Sequence, residues 1–266
     1  MAGFRVARGV GVLTVAVLGM CVSFASRAVA AACPTAADAI DTDRPDVTNS
    51  SRVVPLGSLQ VESGVNLSGR GSGVTLDGTN ARLRLGIAAC AEVLLDAPNG
   101  TRAVRGGGSS GVSDVAPAVK YQLRGLPAGI TVSTVAGLGV PTGTRPFGGH
   151  GYAPYLQVPW EAGAANGWRL AGMATAFFHP AESQRNPTFE PTVVIGREVD
   201  ERLDVFVEYV GDYPAAGRAS HLLNSGAAFR LTRAQQIDMH VAAGLNDTAP
   251  TYILGIGYSI RLDGLF

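Results

Sequence analysis

From residue 58 onward, apolar and polar side chains alternate with a period of two. In "LQVESGVNL", Leu59, Val61, Val65 and Leu67 interleave with Gln60, Glu62 and Asn66. "ARLRLGIA" sets Leu83, Leu85 and Ile87 against Arg82 and Arg84, and "VAPAVKYQL" sets Val115, Val119 and Tyr121 against Lys120 and Gln122. "LDVFVEYV" opposes Leu203, Val205, Val207 and Tyr209 to Asp204 and Glu208, and "IDMHVAA" opposes Ile237, Met239 and Val241 to Asp238 and His240. Alternation places successive side chains on opposite faces of an extended chain, so each run predicts a strand. Twelve such segments are expected, near 58–68, 81–90, 92–97, 114–123, 129–140, 151–160, 168–178, 189–198, 202–211, 220–230, 235–243 and 251–262.

The connections follow their own pattern. After odd-numbered segments they read as long and polar, as in "GRGSGVTLDGTN", "PNGTRAVRGGGSSGVS" and "HPAESQRNPT"; after even-numbered ones they are short, as in "RGLPAG", "VDE" and "LTRA". An even strand count with long loops on one side only predicts an all-β, antiparallel transmembrane barrel of the outer-membrane type, with short periplasmic turns and longer extracellular loops. A soluble sandwich also alternates, but three details favour the barrel. Trp160 and Trp168 flank one short turn with matching parity, as an aromatic girdle would. The face opposite the apolar one carries Glu62, Arg82, Arg84, Lys120, Arg169, Asp204 and Glu208, candidates to line a wet lumen tolerant of substitution. The last segment keeps Tyr252, Leu254, Ile256, Tyr258, Ile260 and Leu262 on one parity and reaches a terminal Phe266, the usual signal to the barrel assembly machinery.

The N-terminus sets the compartment. Arg5 and Arg8 precede the apolar run "GVGVLTVAVLGMCVSFA", and "AVA" at 28–30 has the small residues of a cleavage site, so residues 1–30 are expected to be a secretory signal. Without its three arginines, 18 basic residues face 21 acidic ones, a balance that offers nothing to nucleic acid. Glycine, 35 of 266 residues, runs at about twice the usual ~7% and is spread throughout. No later apolar run reaches the ~18 residues of a spanning helix. Residues 31–57 are left as a polar periplasmic or plug segment and 58–266 as the barrel, placed in a bacterial outer membrane with its lipid as partner.

The opening of the mature chain, "DTDRPDVTNSS", crowds Asp41, Asp43, Arg44 and Asp46 around a proline. Two cysteines remain after the signal, Cys33 and Cys90, in a compartment that favours disulfides. By parity, Cys90 lies on the lumen face at the periplasmic end, where Cys33 also starts. A bond there would tether the segment to the barrel mouth and let its carboxylates dock on inward arginines; two free thiols and a loose leader are the alternative. A D-x-D-x-x-D calcium site lacks the glycine and distal glutamate of a helix–loop–helix loop. "RGGGSSG" lacks the lysine and the strand–helix setting of a phosphate loop. The four histidines are scattered, and only His240 with Ser259 offers a hydrolase-like pairing. No catalytic residue, metal site or cofactor is expected.

Three stretches carry a family resemblance. "TDRPDVTNSSRVVPLGSLQVESGVN" (42–66), "GVSDVAPAVKYQL" (111–123) and "GLNDTAPTYILGIGYSIRL" (244–262) resemble the opening, an inner strand and the closing hairpin of the transporter-like outer-membrane family named for the meta-pathway of phenol degradation. The resemblance implies a non-enzymatic channel or facilitator for passive passage of small-molecule solutes, aromatic or hydrophobic compounds among them, and leaves the solute unidentified. A barrel enzyme of lipase or esterase type and a closed structural barrel are the alternatives.

Overall fold

The computed structural model describes residues 32–163, 165–180 and 187–266. The expected signal, 1–30, lies outside them, as does most of the "HPAESQRNPT" connection. The described chain forms β1 (Leu59–Arg70), β2 (Gly73–Ala88), β3 (Ala91–Asp96), β4 (Gly100–Arg105), β5 (Gly111–Val112), β6 (Ala116–Gln122), β7 (Ile130–Gly139), β8 (Ala153–Gly163), β9 (Trp168–Phe177), β10 (Thr188–Glu198), β11 (Leu203–Pro214), β12 (Ser220–Thr232), β13 (Gln235–Gly244) and β14 (Tyr252–Leu262).

All strand pairings are antiparallel, β6 to β14 each pair with the next in chain order, and β1 pairs with both β2 and β14. The sheet is therefore closed and has no free edge to protect. β2 pairs with β3 along Arg82–Ala88 and with β4 along Val74–Gly78, so β3 and β4 are two halves of one wall strand, interrupted at 97–99. β5 and β6 are likewise two halves, interrupted at 113–115. Fourteen hydrogen-bonded segments thus make a closed barrel of twelve antiparallel strands.

Burial is inverted relative to a soluble protein. Gln60, Glu62, Arg84, Lys120, Gln122 and Glu208 are fully buried inside the barrel, while Leu83, Val193, Ile195, Val207, Leu254 and Ile256 are exposed on its outer surface. A continuous apolar exterior around a charged interior suits hydrocarbon outside and polar contacts within. Trp168 is exposed where β9 begins, with the Arg197 guanidinium of β10 5.1 Å above its ring.

Two boundaries differ from the sequence expectation, while the end of the last strand matches it. "GRGSGVTLDGTN" is not a long loop: β1 and β2 are joined through a tight turn at Gly71, which has φ +56, and Val74–Asp77 already pairs with β1. The glycines at 71 and 73 hid an alternation (Val74 and Leu76 against Thr75 and Asp77) that was there to be read. Most of "PNGTRAVRGGGSSGVS" is likewise strand, as β4 and β5. At the C-terminus β14 stops at Leu262, and Phe266 lies beyond it, where Leu265 N–H still donates to Gly57 O at 2.8 Å.

The outward parity is testable at the middle of β10. Val193→Arg places a cation on the apolar face and is expected to cost about 2–4 kcal/mol at mid-bilayer depth, measured by urea-dependent refolding into vesicles. Thr192→Arg, one residue along, points inward and should fail by a different route, displacing residues 47–48. Wild-type refolding of Val193→Arg would mean that the faces are reversed.

Candidate functional site

Residues 33–57 form no strand or helix, yet they run through the inside of the barrel. A chain without secondary structure must find partners for its N–H and C=O groups elsewhere. Here the wall supplies them from its inward side chains. Asp43 N–H donates to both oxygens of Glu62 (3.1 and 2.9 Å), and Val47 and Thr48 N–H donate to Glu208 (2.9 and 2.8 Å). Val53 N–H reaches Gln122 and Val54 N–H reaches Glu92. In the other direction, Gln60 and Arg84 donate to Asp41 O at 2.8 and 3.1 Å. Ser133 donates to Ser51 O, and Arg261 to the carbonyls of Ala36 and Asp38. The structure joins Cys33 to Cys90 in a disulfide with a Cα–Cα distance of 5.3 Å.

Charge organises the centre. Arg84, inaccessible to solvent, lies 3.2 Å from Asp43, 3.1 Å from Glu62 and 3.0 Å from Glu92. Arg82 reaches Asp43 at 2.9 Å and Asp96 at 2.6 Å, and Lys120 sits 3.5 Å from Asp43 and 3.4 Å from Glu92. Burial alone would raise the Asp43 pKa, but Arg84, Lys120 and Arg82 outweigh it and hold the carboxyl well below the usual range. Asp46 behaves in the opposite way: burial, with Glu208 close by, pushes its pKa well up, against the pull of Arg169.

Of the sequence candidates, Glu62, Arg82, Arg84, Lys120 and Glu208 converge with Asp43 on the threaded segment. Arg169 instead pairs with Glu161 at 3.6 Å, and Asp204 pairs with Arg230, both near the end of the barrel that carries the termini. Asp41 docks through its carbonyl and not its carboxylate. Arg84 was expected to be a tolerant lumen charge; it holds three buried carboxylates, and removing it would strand them. Asp43 belongs to the arginine cluster, which disposes of the calcium spacing, and no metal-ligand cluster is present among the described residues. His240 bonds Asn66 and Asn224 at 3.2 and 3.1 Å. It lies opposite Gly255, while Ser259 lies opposite Gln236, so the hydrolase-like pair does not form.

Sequence reasoning missed Gln60, Glu92, Gln122, Asp238 and Arg261 as partners of the segment, although their polar parity marked them as inward. It also missed that part of the inner wall is apolar. Leu94, Ala118, Val135 and Tyr155 form an inward cluster flanked by Phe177, and Ala171, Val194 and Phe206 form a second. Among the described residues, two sizeable cavities lie beside the segment. One, of about 520 Å³, opens among Glu161, Trp168, Arg169, Asp204, Arg230 and Gln236, toward the end with the termini. The other, of about 280 Å³, lies against the strand interruptions, lined by Arg82, Asp96, Asn99, Ser113 and Asp114.

The contrast between the neighbouring carboxylates yields a prediction. Asp43→Asn leaves Arg82, Arg84 and Lys120 short of a counter-charge and should destabilise the folded barrel by about 3–5 kcal/mol. Because the folded pKa of Asp43 is lowered, its contribution is complete above the ordinary carboxylate range, and mild acid should not remove it. Asp46 has a raised folded pKa, so its ionisation is a cost that is full at high pH and fades as pH falls through the raised value. Asp46→Asn should therefore equal or exceed wild type in stability near neutrality, with the difference shrinking on acidification. Thermal unfolding of the detergent-solubilised protein at neutral and mildly acid pH measures both.

No curated protein sequence matches this chain. Among solved structures, an outer-membrane channel from Pseudomonas putida F1 aligns with a TM-score of 0.65 at 13% identity, covering 79% of this chain and 97% of that one. The KdgM porin aligns with a TM-score of 0.54 at 9% identity, over 76% of this chain and 98% of its own. The NanC porin gives 0.54 at 10% identity, over 77% and 100%. At such identities the likeness establishes a shared fold. The model of the family described as "Putative MetA-pathway of phenol degradation" matches residues 42–262, from the threaded segment to the end of β14, and the chain belongs to that family.

Proposed function

We propose that the mature protein is an outer-membrane channel for passive passage of small molecules, with 1–30 as its signal, 31–57 as a plug and 58–266 as the barrel. The observation that carries this reading is a charged, cavity-bearing interior inside an apolar cylinder, with the chain's own N-terminal segment across it. The aligned structures include a channel and two porins, and a KdgM porin structure is a complex with disordered oligogalacturonate. Under this reading the end with the termini faces the periplasm, and the C-terminal strand addresses the assembly machinery.

The lining bears on the solute class. Carboxylates and guanidiniums line the cavities beside the plug, while Leu94, Val135, Tyr155 and Phe177 form an inward, largely buried apolar strip on β3 and β7–β9. Such a lumen accommodates small aromatic or hydrophobic compounds with one polar substituent better than a uniformly hydrated pore would, and selection rests on width and fixed charge. Passage requires no covalent chemistry from the wall.

Conductance of purified protein in planar bilayers tests the reading. Wild type should give a small conductance and a variant lacking residues 33–50 a much larger one. Two impermeable barrels would favour the closed structural barrel, and hydrolysis of lipid or ester substrates would favour an enzyme. The tether has a separate check. Denatured, non-reduced mature protein should expose no titratable thiol, and Cys33→Ser should raise the conductance above that of wild type. Two free thiols would remove the Cys33–Cys90 bond from the account.

A further inference from the structure

The two cavities lie on opposite sides of the plug, and the residues that line both are Arg44 and Asp46. The partition between them is therefore thin, and one arm of it reaches the wall. Arg44 extends from the plug to β13 and β14. Its Nη2 and Nε lie 3.2 and 3.4 Å from the two oxygens of Asp238, and Nη2 also donates to Ile256 O at 3.4 Å. The wall is shaped to receive it. Gly64 of β1 and Gly257 of β14 face each other in the sheet. A Cβ on Gly64 would come within 2.3 Å of the Arg44 guanidinium, and one on Gly257 within 2.4 Å of its Nε. Two paired glycines thus leave a seat in the barrel wall into which a single plug side chain fits.

Other contacts hold the plug by its backbone. Glu62, Glu92 and Glu208 are wholly buried and accept backbone N–H groups, so moving the chain there would strand several donors and a buried charge together. Arg44 can leave its seat by side-chain rotation alone, with the backbone of 41–54 staying where it is. We propose that the Arg44–Asp238 pair, seated between Gly64 and Gly257, is the latch of the channel, and that its release joins the two cavities into one path while the plug remains docked. This rests on the channel reading, and it locates gating in one side chain where unplugging would require the whole segment to leave.

Single-channel recording in planar bilayers, on protein shown to be folded by heat-modifiable gel mobility, tests it. Arg44→Ala should give a sustained, several-fold rise in conductance and, with one cation gone from the partition, a reversal potential shifted toward cation preference in a salt gradient. Gly257→Ala fills the seat but keeps the arm and its charge, so it should flicker between the wild-type level and a higher one without the selectivity shift. Folded Arg44→Ala with wild-type conductance, beside a conducting variant lacking residues 33–50, would overturn the latch and leave the channel standing. If neither conducts, the channel reading itself falls, and the latch with it. Should Arg44→Ala fail to fold, a steady wild-type trace from Gly257→Ala overturns the proposal alone.

Discussion

The rest of the structure depends on one constraint: inside the barrel, hydrogen-bonding groups sealed from water must find their partners in the protein. The wall strands satisfy their own backbones through the closed ladder, but their inward side chains are charged and buried. The threaded segment has the complementary problem, since its backbone has no ladder at all. Each solves the other's difficulty. Glu62, Glu92 and Glu208 accept N–H groups of the segment, Arg84 and Arg261 donate to its carbonyls, and Asp43 supplies the carboxylate that Arg82, Arg84 and Lys120 share. A buried ion network of this kind adds little net stability over an apolar core, but losing any one member is costly. The plug is accordingly part of the interior.

This mutual satisfaction explains why a segment so polar adjoins the barrel in sequence. It also shapes what is left over. The segment touches strands on several sides of the lumen, from β1 and β2 through Gln122 and Ser133 to Gln157 and Glu208, and cavities persist near the termini and beside the interrupted strands. The apolar strip of Leu94, Val135 and Tyr155 faces inward and is buried. At Arg44 the same principle runs in reverse: the wall gives up two side chains, at Gly64 and Gly257, to make room for one from the plug.

How far the sequence could be read varies by element. The strands of β11, β13 and β14 were legible because an unbroken period of two survives in each. β2 was read short, since Gly71, Gly73, Gly78 and Asn80 resemble a loop; in a closed barrel the neighbouring strand imposes pairing on residues of weak propensity. The acidic stretch was legible as something that docks. Its partners were not: Asp46, alike in sequence to Asp43, does not join the arginine cluster and is influenced most by burial and by Glu208, and Asp41 docks through its carbonyl.

The sequence by itself determined the class of fold, the facing of the strands whose alternation is unbroken and the existence of a polar segment ahead of the first strand. These follow from local periodicity and composition, which act over a few residues. Only the tertiary structure decided which carboxylate meets which guanidinium, that Arg84 is a buried anchor and not a free lumen charge, and where Arg44 finds its seat. Those contacts join residues as far apart as Arg44 and Asp238 across the lumen. They exist only once strand register and barrel closure have fixed the height of every inward side chain, and neither is written in any single strand.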